Sequence, residues 1–455
     1  MDKRRIARGL LLRGGILLAS LAAFAVLINF SWFDEPLNPE IERLIEPQPV
    51  SMEANAYPLI YGFPAADSKD ARAAGLAVID TLRERYREGR PIGLSEEEMA
   101  AILGGTGFDE SWQADFESLP CNSRLALDCA GPLIAEVDSG STLQPRLRIL
   151  LQRYEQILSA GHFAENQEFD ASTPIPPYGL VTAVGRIRLA RLFHGESTAE
   201  FLASATQDIA FWRTVLRDGQ SLIAKMVALA GIRNDLEFIS AAMRERDLDE
   251  GETQWIERNL RPLTSDERDI GESFLADFRI GLLSKKLFVY MPTEPSWLTR
   301  MLLQENATVN EFYTKIVTPT RLRALLDAEA FYRQNAYERL SYRNRANYRV
   351  RVFPPQLYNL GGKLLVNQIA GTFNVQDYIS RVHDIDGRIA LVLLQTEIER
   401  SPGRTAQAVV SASALRNPYT HEPMDYDAAN GTIGFDCVAE NSNDVCAVVI
   451  GSGTR

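Results

Sequence analysis

The sequence predicts a mainly α-helical protein with one N-terminal transmembrane helix, a multi-helix body and a small C-terminal β-hairpin unit held by a disulfide. Three observations favour this architecture: an uncharged apolar run at residues 14–33, long stretches in which apolar residues recur every three or four positions, and a pair of cysteines close to the C-terminus. Strand patterns are few and short.

The N-terminal segment predicts a membrane anchor. Residues 1–13 contain five Lys or Arg and one Asp, and the 20 residues 14–33 carry no charge. As a helix, such a run reaches across a hydrocarbon core of about 30 Å. The basic tail is expected to stay cytoplasmic, with Trp32 and Phe33 at the opposite interface and the remaining chain exported. A cleaved signal peptide and a buried core helix are the alternatives, but the run exceeds the usual signal-peptide core and lacks a small-residue cleavage site.

The charge balance bears on the choice of partner. The chain has a formal charge of −12, and because residues 1–13 carry +4, the remainder carries −16. An acidic exported body argues against binding to nucleic acid. The expected partners are the lipid bilayer, through residues 14–33, and another protein.

Residues 34–66 predict a Pro-rich spacer, because their six prolines prevent a continuous helix. Residues 67–416 are expected to form a helical domain, and residues 417–455 the small disulfide-stapled unit. Capping-box spacing predicts three helix starts, at Ser95 with Glu98, Thr264 with Glu267, and Thr308 with Glu311.

The clearest helical periodicity lies between residues 198 and 243. Apolar residues recur at steps of three and four on both sides of Gly219, which predicts two amphipathic helices packed as an antiparallel hairpin. A ligand groove lined by their Met and aromatic residues is the alternative to core packing. Strands are expected at "YRVRVF" (348–353), "GTIGF" (431–435) and "CAVVIG" (446–451).

The four cysteines form two close pairs, Cys121 with Cys129 and Cys437 with Cys446. Paired cysteines favour disulfides in an oxidising compartment, which export would supply. Neither the C-x-x-C spacing of thioredoxin-type proteins nor the C-x2-C pairs common in zinc sites occur. We therefore predict two local disulfides, with a metal site shared by all four cysteines as the alternative.

Few patterns point to catalysis. The four histidines form no H-E-x-x-H pair, and neither G-x-S-x-G nor a complete phosphate loop occurs. "HDIDGR", residues 383–388, has part of a calcium loop but lacks the terminal Glu, so a solvated turn at a helix start is predicted. His383 and Asp384 remain candidates for a hydrolytic pair. No metal and no cofactor is predicted.

The stretch "GESFLADF" (271–278) resembles the Glu-Ser start of lytic transglycosylases, helical envelope enzymes in which that Glu is the general acid. The resemblance makes Glu272 a candidate catalytic residue. The Gly-Leu-Met-Gln segment of those enzymes does not follow. A carboxylate on a helix surface is the alternative, because general acid catalysis also needs a cleft.

Residues 337–353, "YERLSYRNRANYRVRVF", concentrate arginine and aromatic residues. The candidate binding residues are Arg339, Arg343, Arg345, Arg349, Arg351, Tyr342 and Tyr348. Arginine suits phosphate or carboxylate partners, and both residue types are enriched at interfaces. Internal ion pairing with carboxylates of the acidic body is the alternative.

Two stretches resemble uncharacterised single-pass envelope proteins of bacteria. They are "FWRTVLRDGQSLIAKMVALAGI" (211–232) and "RNPYTHEPMDYD" (416–427), the second being similar to a D-P-x-T-G-x-P-M-x-W/Y turn near the end of such chains. Asn417 replaces the Asp of that turn, and His421 replaces its Gly. The resemblance implies an inner-membrane protein with a periplasmic body and identifies no active-site residue.

These features favour a membrane-anchored periplasmic accessory or scaffold protein that binds another envelope protein and is not an enzyme. Two other hypotheses stay open. One is an envelope hydrolase acting on cell-wall or lipid material, with Glu272, or His383 and Asp384, in a cleft. The other is an anionic-ligand-binding protein that uses the 337–353 arginine/aromatic cluster.

Overall fold

The structure is a computed structural model in which two compact units are distinguished. The described residues are 12–17, 19–20, 23–24, 26–29, 31–46, 49–90, 92–105, 128–138, 145–166, 172–283, 302–335, 358–372, 375–439 and 446–450. The first unit comprises Met1–Pro47, Phe278–Thr320 and Arg339–Asn374; the second comprises Gln48–Asp277, Arg321–Glu338 and Val375–Arg455.

Helices dominate the described residues, which confirms the predicted mainly α class. In chain order they are α1 Pro39–Ile45, α2 Ala56–Tyr61, α3 Ala71–Arg87, α4 Glu96–Leu103, α5 Ala130–Asp138, α6 Pro145–Leu158, α7 Tyr178–Gly195, α8 Thr198–Asp218, α9 Leu222–Glu245, α10 Glu250–Asn259, α11 Ser265–Arg268, α12 Gly271–Leu283, α13 Glu305–Phe312, α14 Thr318–Ala324, α15 Leu360–Thr372, α16 Val375–Glu399 and α17 Ala406–Ala412. A π-helical turn, Tyr313–Val317, joins α13 to α14, and residues 328–335 are also helical.

The predicted anchor is described in part. Within residues 14–33, positions 18, 21, 22, 25 and 30 lie outside the described residues. The side chains of Ile16, Leu17, Phe24 and Leu27 are each more than half exposed. In the part of the chain that the structure describes, no helix combines the length and the apolar character needed to cross a membrane.

The first unit is built around α13 and α15, which pack against each other. Asn359, next to α15, donates its backbone N–H to Oδ1 of Asn29 (2.8 Å) and accepts the N–H of Gln304 on its own Oδ1 (2.9 Å). The carboxylate of Asp34 accepts two backbone N–H groups at the start of α13 (2.8 and 3.0 Å). Asn29 is thus hydrogen-bonded to the residue that precedes α15, and Asp34 to the first turn of α13.

This arrangement corrects one predicted helix start. α13 begins at Glu305, not after Thr308, because Asp34, distant in sequence, satisfies the N–H groups of its first turn. The hydroxyl of Thr308 bonds instead to the backbone of Gln304 (2.5 Å). The other two predicted starts are confirmed as capping boxes, at Ser95 and Thr264.

In the second unit, α8 and α9 form the predicted hairpin and pack against each other along their length. Ser197 and Ser221 cap their N-termini. Trp212 of α8 is almost fully buried against Gly231 of α9, where a Cβ atom would lie 2.5 Å from the indole ring. α7 packs on both helices, α6 on α7, and α16 on α9.

The C-terminal residues form a three-stranded antiparallel sheet, β1 Asp425–Asp427, β2 Thr432–Gly434 and β3 Ala447–Val449, in the order β1-β2-β3. The predicted hairpin is β2 and β3, and β1 adds a third strand to it. Cys437 and Cys446 are joined by a disulfide with a Cα–Cα distance of 5.5 Å, which confirms that pair. The sheet packs on α16 through Phe435, whose ring fills the space left open at Gly387.

The predicted solvated turn at residues 383–388 is wrong. These residues lie in the middle of α16, where Val382, Ile385 and Ile389 are buried at helical spacing. Asp386, which suggested a calcium ligand, accepts the backbone N–H of Leu263 (2.6 Å) and pairs with Arg268 (2.6 Å). Asp386 therefore fastens α16 to the chain around α11.

Candidate functional site

Glu272, the candidate general acid, lies on the surface. It occupies the first turn of α12, and its side chain is 59% exposed and paired with Arg321 (2.5 Å). The neighbouring Ser273 is fully buried. An exposed, paired carboxylate of this kind fits the alternative of a residue on a helix surface.

His383 lies in the core of the second unit. It is 2% exposed, and its ring centroid is 5.4 Å from that of Phe331 and 6.3 Å from that of Tyr419. Burial, together with the positive charge of Arg268, lowers the pKa of His383 to about 4. The imidazole is therefore neutral near pH 7 and packs among aromatic rings.

Asp384 fastens the C-terminal sheet to α16. Its Oδ1 accepts a hydrogen bond from the hydroxyl of Tyr419 (2.6 Å) and a longer one from the backbone N–H of Val438 (3.4 Å). Its carboxylate and the sulfurs of Cys437 and Cys446 lie within 4.8 Å of one another. Because metal binding by cysteine requires thiolates, and both sulfurs belong to the disulfide, this group of three side chains is not suited to hold a metal.

The arginine/aromatic cluster of residues 337–353 lies outside the described residues, as does the predicted strand at 348–353. Its candidate binding residues are Arg339, Arg343, Arg345, Arg349, Arg351, Tyr342 and Tyr348. Cys121 also lies outside them, so the bond to the buried Cys129 stays a prediction.

A polar cluster that the sequence did not predict lies where four helices meet. It contains Tyr154 from α6, Arg188 from α7, Asp208 from α8 and Asp235 from α9, each at most 6% exposed. We call these four residues the junction cluster. Hydrogen bonds between the first three connect α6, α7 and α8, and Asp235 of α9 interacts electrostatically with Asp208 and Arg188.

Asp208 is the centre of the junction cluster. Its Oδ1 accepts the hydroxyl of Tyr154 (2.6 Å), and its Oδ2 accepts Nη1 of Arg188 (3.2 Å). Arg188 also donates Nε to Glu155 (2.5 Å), whose side chain is 52% exposed. Arg188 thereby connects a buried carboxylate to one at the surface.

Burial dominates the electrostatics of the junction cluster. It raises the pKa of Asp208 to about 7, although Arg188 and Tyr154 act in the opposite direction. Burial, and then the charge of Asp208, raise the pKa of Asp235. Two carboxyl groups that disfavour each other's ionisation in a dry interior are the usual arrangement for holding a proton.

The sequence did carry a signal for this cluster. Asp208 lies between the apolar positions Ala205 and Trp212 on the buried face of α8, and Asp235 lies three residues after Ile232 on the buried face of α9. An acidic residue on an apolar face requires a buried partner. Neither residue interrupts the periodicity, so the helices were predicted and the cluster was missed.

A cleft of about 400 Å³ lies in the second unit beside the ends of α9 and α16 and the start of α10. Its charged lining residues have structural contacts. Arg400 donates to both carboxylate oxygens of Glu257 (2.7 Å each), the guanidinium of Arg246 lies 4.5 Å from the ring centroid of Phe193, and Asp249 caps α10. These contacts favour a role in packing for the lining.

No protein-family model, curated protein or solved structure matches this chain. The candidates for catalysis lie on the surface or among aromatic rings, and the titratable junction cluster is enclosed by helices.

Proposed function

We propose that this chain is a membrane-anchored periplasmic accessory or scaffold protein of the bacterial envelope, which is not an enzyme and acts through contacts with another envelope protein. The observation that carries the proposal is the 20-residue uncharged run at 14–33, preceded by a basic tail and followed by a folded, acidic helical body. The tail stays in the cytoplasm, and the body lies in the periplasm.

Two features support export. The apolar side chains described in the run are mostly exposed, Ile16 to 60% and Leu17 to 62%, as expected of residues that contact lipid. The Cys437–Cys446 disulfide suits an oxidising compartment such as the periplasm.

The contacts of residues 29–34 support a close coupling between the anchor and the body. Asn29 is 4% exposed, although it belongs to the uncharged run, and it bonds to Asn359. Asn38 donates its N–H to Asn310 (2.9 Å), and Ile41 of α1 is fully buried. Residues of the run and of the chain directly after it therefore belong to the folded first unit, which supports a position of that unit close to the bilayer.

An exposed apolar surface supports a protein partner. Leu322 and Leu325 are 62% and 65% exposed, and Tyr332 is 40% exposed. Leu322 lies in α14, and Leu325 directly follows the last residue of that helix. Exposed apolar and aromatic side chains of this kind anchor protein interfaces. The partner surface is defined here by these three residues.

The test is a crosslinked pull-down of the tagged full-length protein from native membranes, followed by mass spectrometry. Wild-type protein and the control variant Ile175→Asp, which changes another exposed apolar residue (63%), are expected to recover the same envelope partner. The double variant Leu322→Asp with Leu325→Asp is expected to lose it.

Recovery of the protein alone, with efficient crosslinking of a known complex in parallel, contradicts the accessory role. It would favour a ligand-binding or catalytic role, which substrate screening can test. Release of the protein from membranes by an alkaline carbonate wash contradicts the anchor separately. The two parts of the proposal therefore fail independently.

A further inference from the structure

The junction cluster has an excess of negative charge that its own residues do not neutralise. Arg188 bonds to Asp208, and the pair is buried. Glu155 is half exposed, so water screens its charge. If Asp235 were also ionised, a second carboxylate would lie in the core without a cation of its own.

Asp235 is the carboxyl group of the cluster that has no cation of its own in the described part of the chain. It is 4% exposed, and within the described residues its Oδ2 has no hydrogen-bond partner. The other charged groups nearby are engaged with each other: Arg233 lies 3.7 Å from Glu237, and Arg186 also interacts with Glu237. Burying an unpaired carboxylate is costly, whereas a bound proton removes the charge without any movement.

We propose that Asp208 and Asp235 form a buried proton-binding site that holds one exchangeable proton in the folded protein, and that release of this proton at alkaline pH loosens the junction of α6, α7, α8 and α9. The ligand of the site is a proton, not a metal or an organic molecule. The proposal goes beyond the scaffold role and does not depend on the location of the chain.

The direction of the pH dependence follows from the raised pKa of both carboxyl groups. A carboxyl group whose pKa is raised by folding binds its proton more tightly in the folded state. Its contribution to stability is complete below the pKa of the unfolded chain and is lost as pH rises through the folded value, about 7 for Asp208. Because the two carboxyl groups interact, this value belongs to the pair.

The experiment measures thermal unfolding of the full-length protein in detergent micelles from about pH 5 to about pH 9. For wild-type protein, the equilibrium constant for folding is expected to fall by up to tenfold for each pH unit between about pH 5 and about pH 7, and to level off above the folded pKa. Asp235→Asn keeps the shape of the side chain and removes its charge, so the slope should be smaller than in wild type, while other buried carboxyl groups with a raised pKa, such as Asp277, keep their own contribution. Asp218→Asn, at the end of α8, is the matched control, because Asp218 is one-third exposed and pairs with Arg217.

Infrared spectroscopy of the wild-type protein gives a second measurement that does not rely on a variant. A carbonyl stretch of a protonated carboxyl group is expected near pH 6 and should vanish on titration to about pH 9, together with faster amide exchange in α8 and α9. The proposal is overturned if wild-type stability does not change over this range, if Asp235→Asn keeps the wild-type pH slope, or if the protonated band is absent.

Discussion

The hydroxyl of Tyr154 donates a hydrogen bond of 2.6 Å to the carboxylate of Asp208, joining α6 to α8 in the core of the second unit. Both residues are 1% exposed, so neither group has water as a substitute partner. The bond is consequently a buried polar link between these two helices, at which the junction cluster can be tested directly.

Tyr154→Phe should lower the free energy of unfolding by about 1–3 kcal/mol, because it leaves a buried acceptor of Asp208 without its donor. Denaturant unfolding at about pH 7 measures the change. Tyr86→Phe, on the half-buried side of α3, is the control and should stay within about 0.5 kcal/mol of wild type. A Tyr154→Phe variant as stable as the control would show that the bond contributes nothing net.

Gly185 of α7 should resist substitution because its missing side chain makes room for Tyr154. A Cβ atom at this position would lie 2.4 Å from the Tyr154 hydroxyl. Gly185→Ala is expected to destabilise the protein by about 1–3 kcal/mol through displacement of the ring. Gly179→Ala lies in the same helix, where a Cβ would meet no atom within 4 Å, and should be neutral or stabilising. Equal thermal midpoints for the two variants would contradict the close packing.

The buried ion pair of Glu267 and Arg213 predicts a sensitivity to acid. Burial by itself raises the pKa of Glu267, but hydrogen bonds from Arg213, Arg261 and the Thr264 N–H outweigh it and lower the pKa to about 2. A carboxylate with a lowered pKa stabilises the fold above its unfolded pKa and loses this effect as pH falls towards the folded value. The stability of the full chain should therefore decline between about pH 4 and about pH 2.

Glu267→Gln should flatten this acid limb, at the cost of lower stability at neutral pH, since the amide cannot replace the two-oxygen contact with Arg213. Glu250→Gln, in the exposed first turn of α10, serves as the control and should leave the acid limb unchanged. Thermal midpoints measured at each pH decide between the two outcomes.

His421 occupies the position at which the resembled turn has glycine, and its backbone explains why. Its φ is 58°, in the left-handed region that favours glycine. His421→Ala should be less stable than His421→Gly by about 1 kcal/mol. The hydrogen bond between Nε2 of His421 and Glu329 (3.0 Å) is lost in both variants, so it does not affect the comparison. Equal stabilities would contradict strain at this position.

The parts of the fold that the sequence predicted are those fixed by local pattern. The α8–α9 hairpin follows from apolar spacing on either side of Gly219, and the C-terminal disulfide from two close cysteines. The start of α13 was missed because its capping group, Asp34, comes from a segment more than 270 residues away. The spacing of residues along the chain predicts contacts between near neighbours in sequence, but it does not predict a helix cap that comes from a distant segment.

In the candidate site, too, the sequence did not predict contacts between residues that are distant along the chain. His383 and Asp384 were selected because they are adjacent in sequence, but their helix directs them to different partners, the ring of Phe331 for one and the hydroxyl of Tyr419 for the other. The junction cluster assembles residues between positions 154 and 235 from four helices. It could be recognised only as two acidic residues on mainly apolar faces.

The contacts of Asn29, Asp34 and Ile41 decide where the chain can be shortened. A truncation that removes the uncharged apolar run and starts the chain after Ile41 would also delete three groups of the first unit. These are Asp34, which caps α13, Asn29, which accepts the Asn359 N–H, and the fully buried side chain of Ile41. The first unit would then open at its centre and expose apolar surface, so that poor solubility would be mistaken for a property of the whole protein. A start at Ile28, with the apolar positions before it removed, keeps all three groups and is the better choice for preparing the body in water.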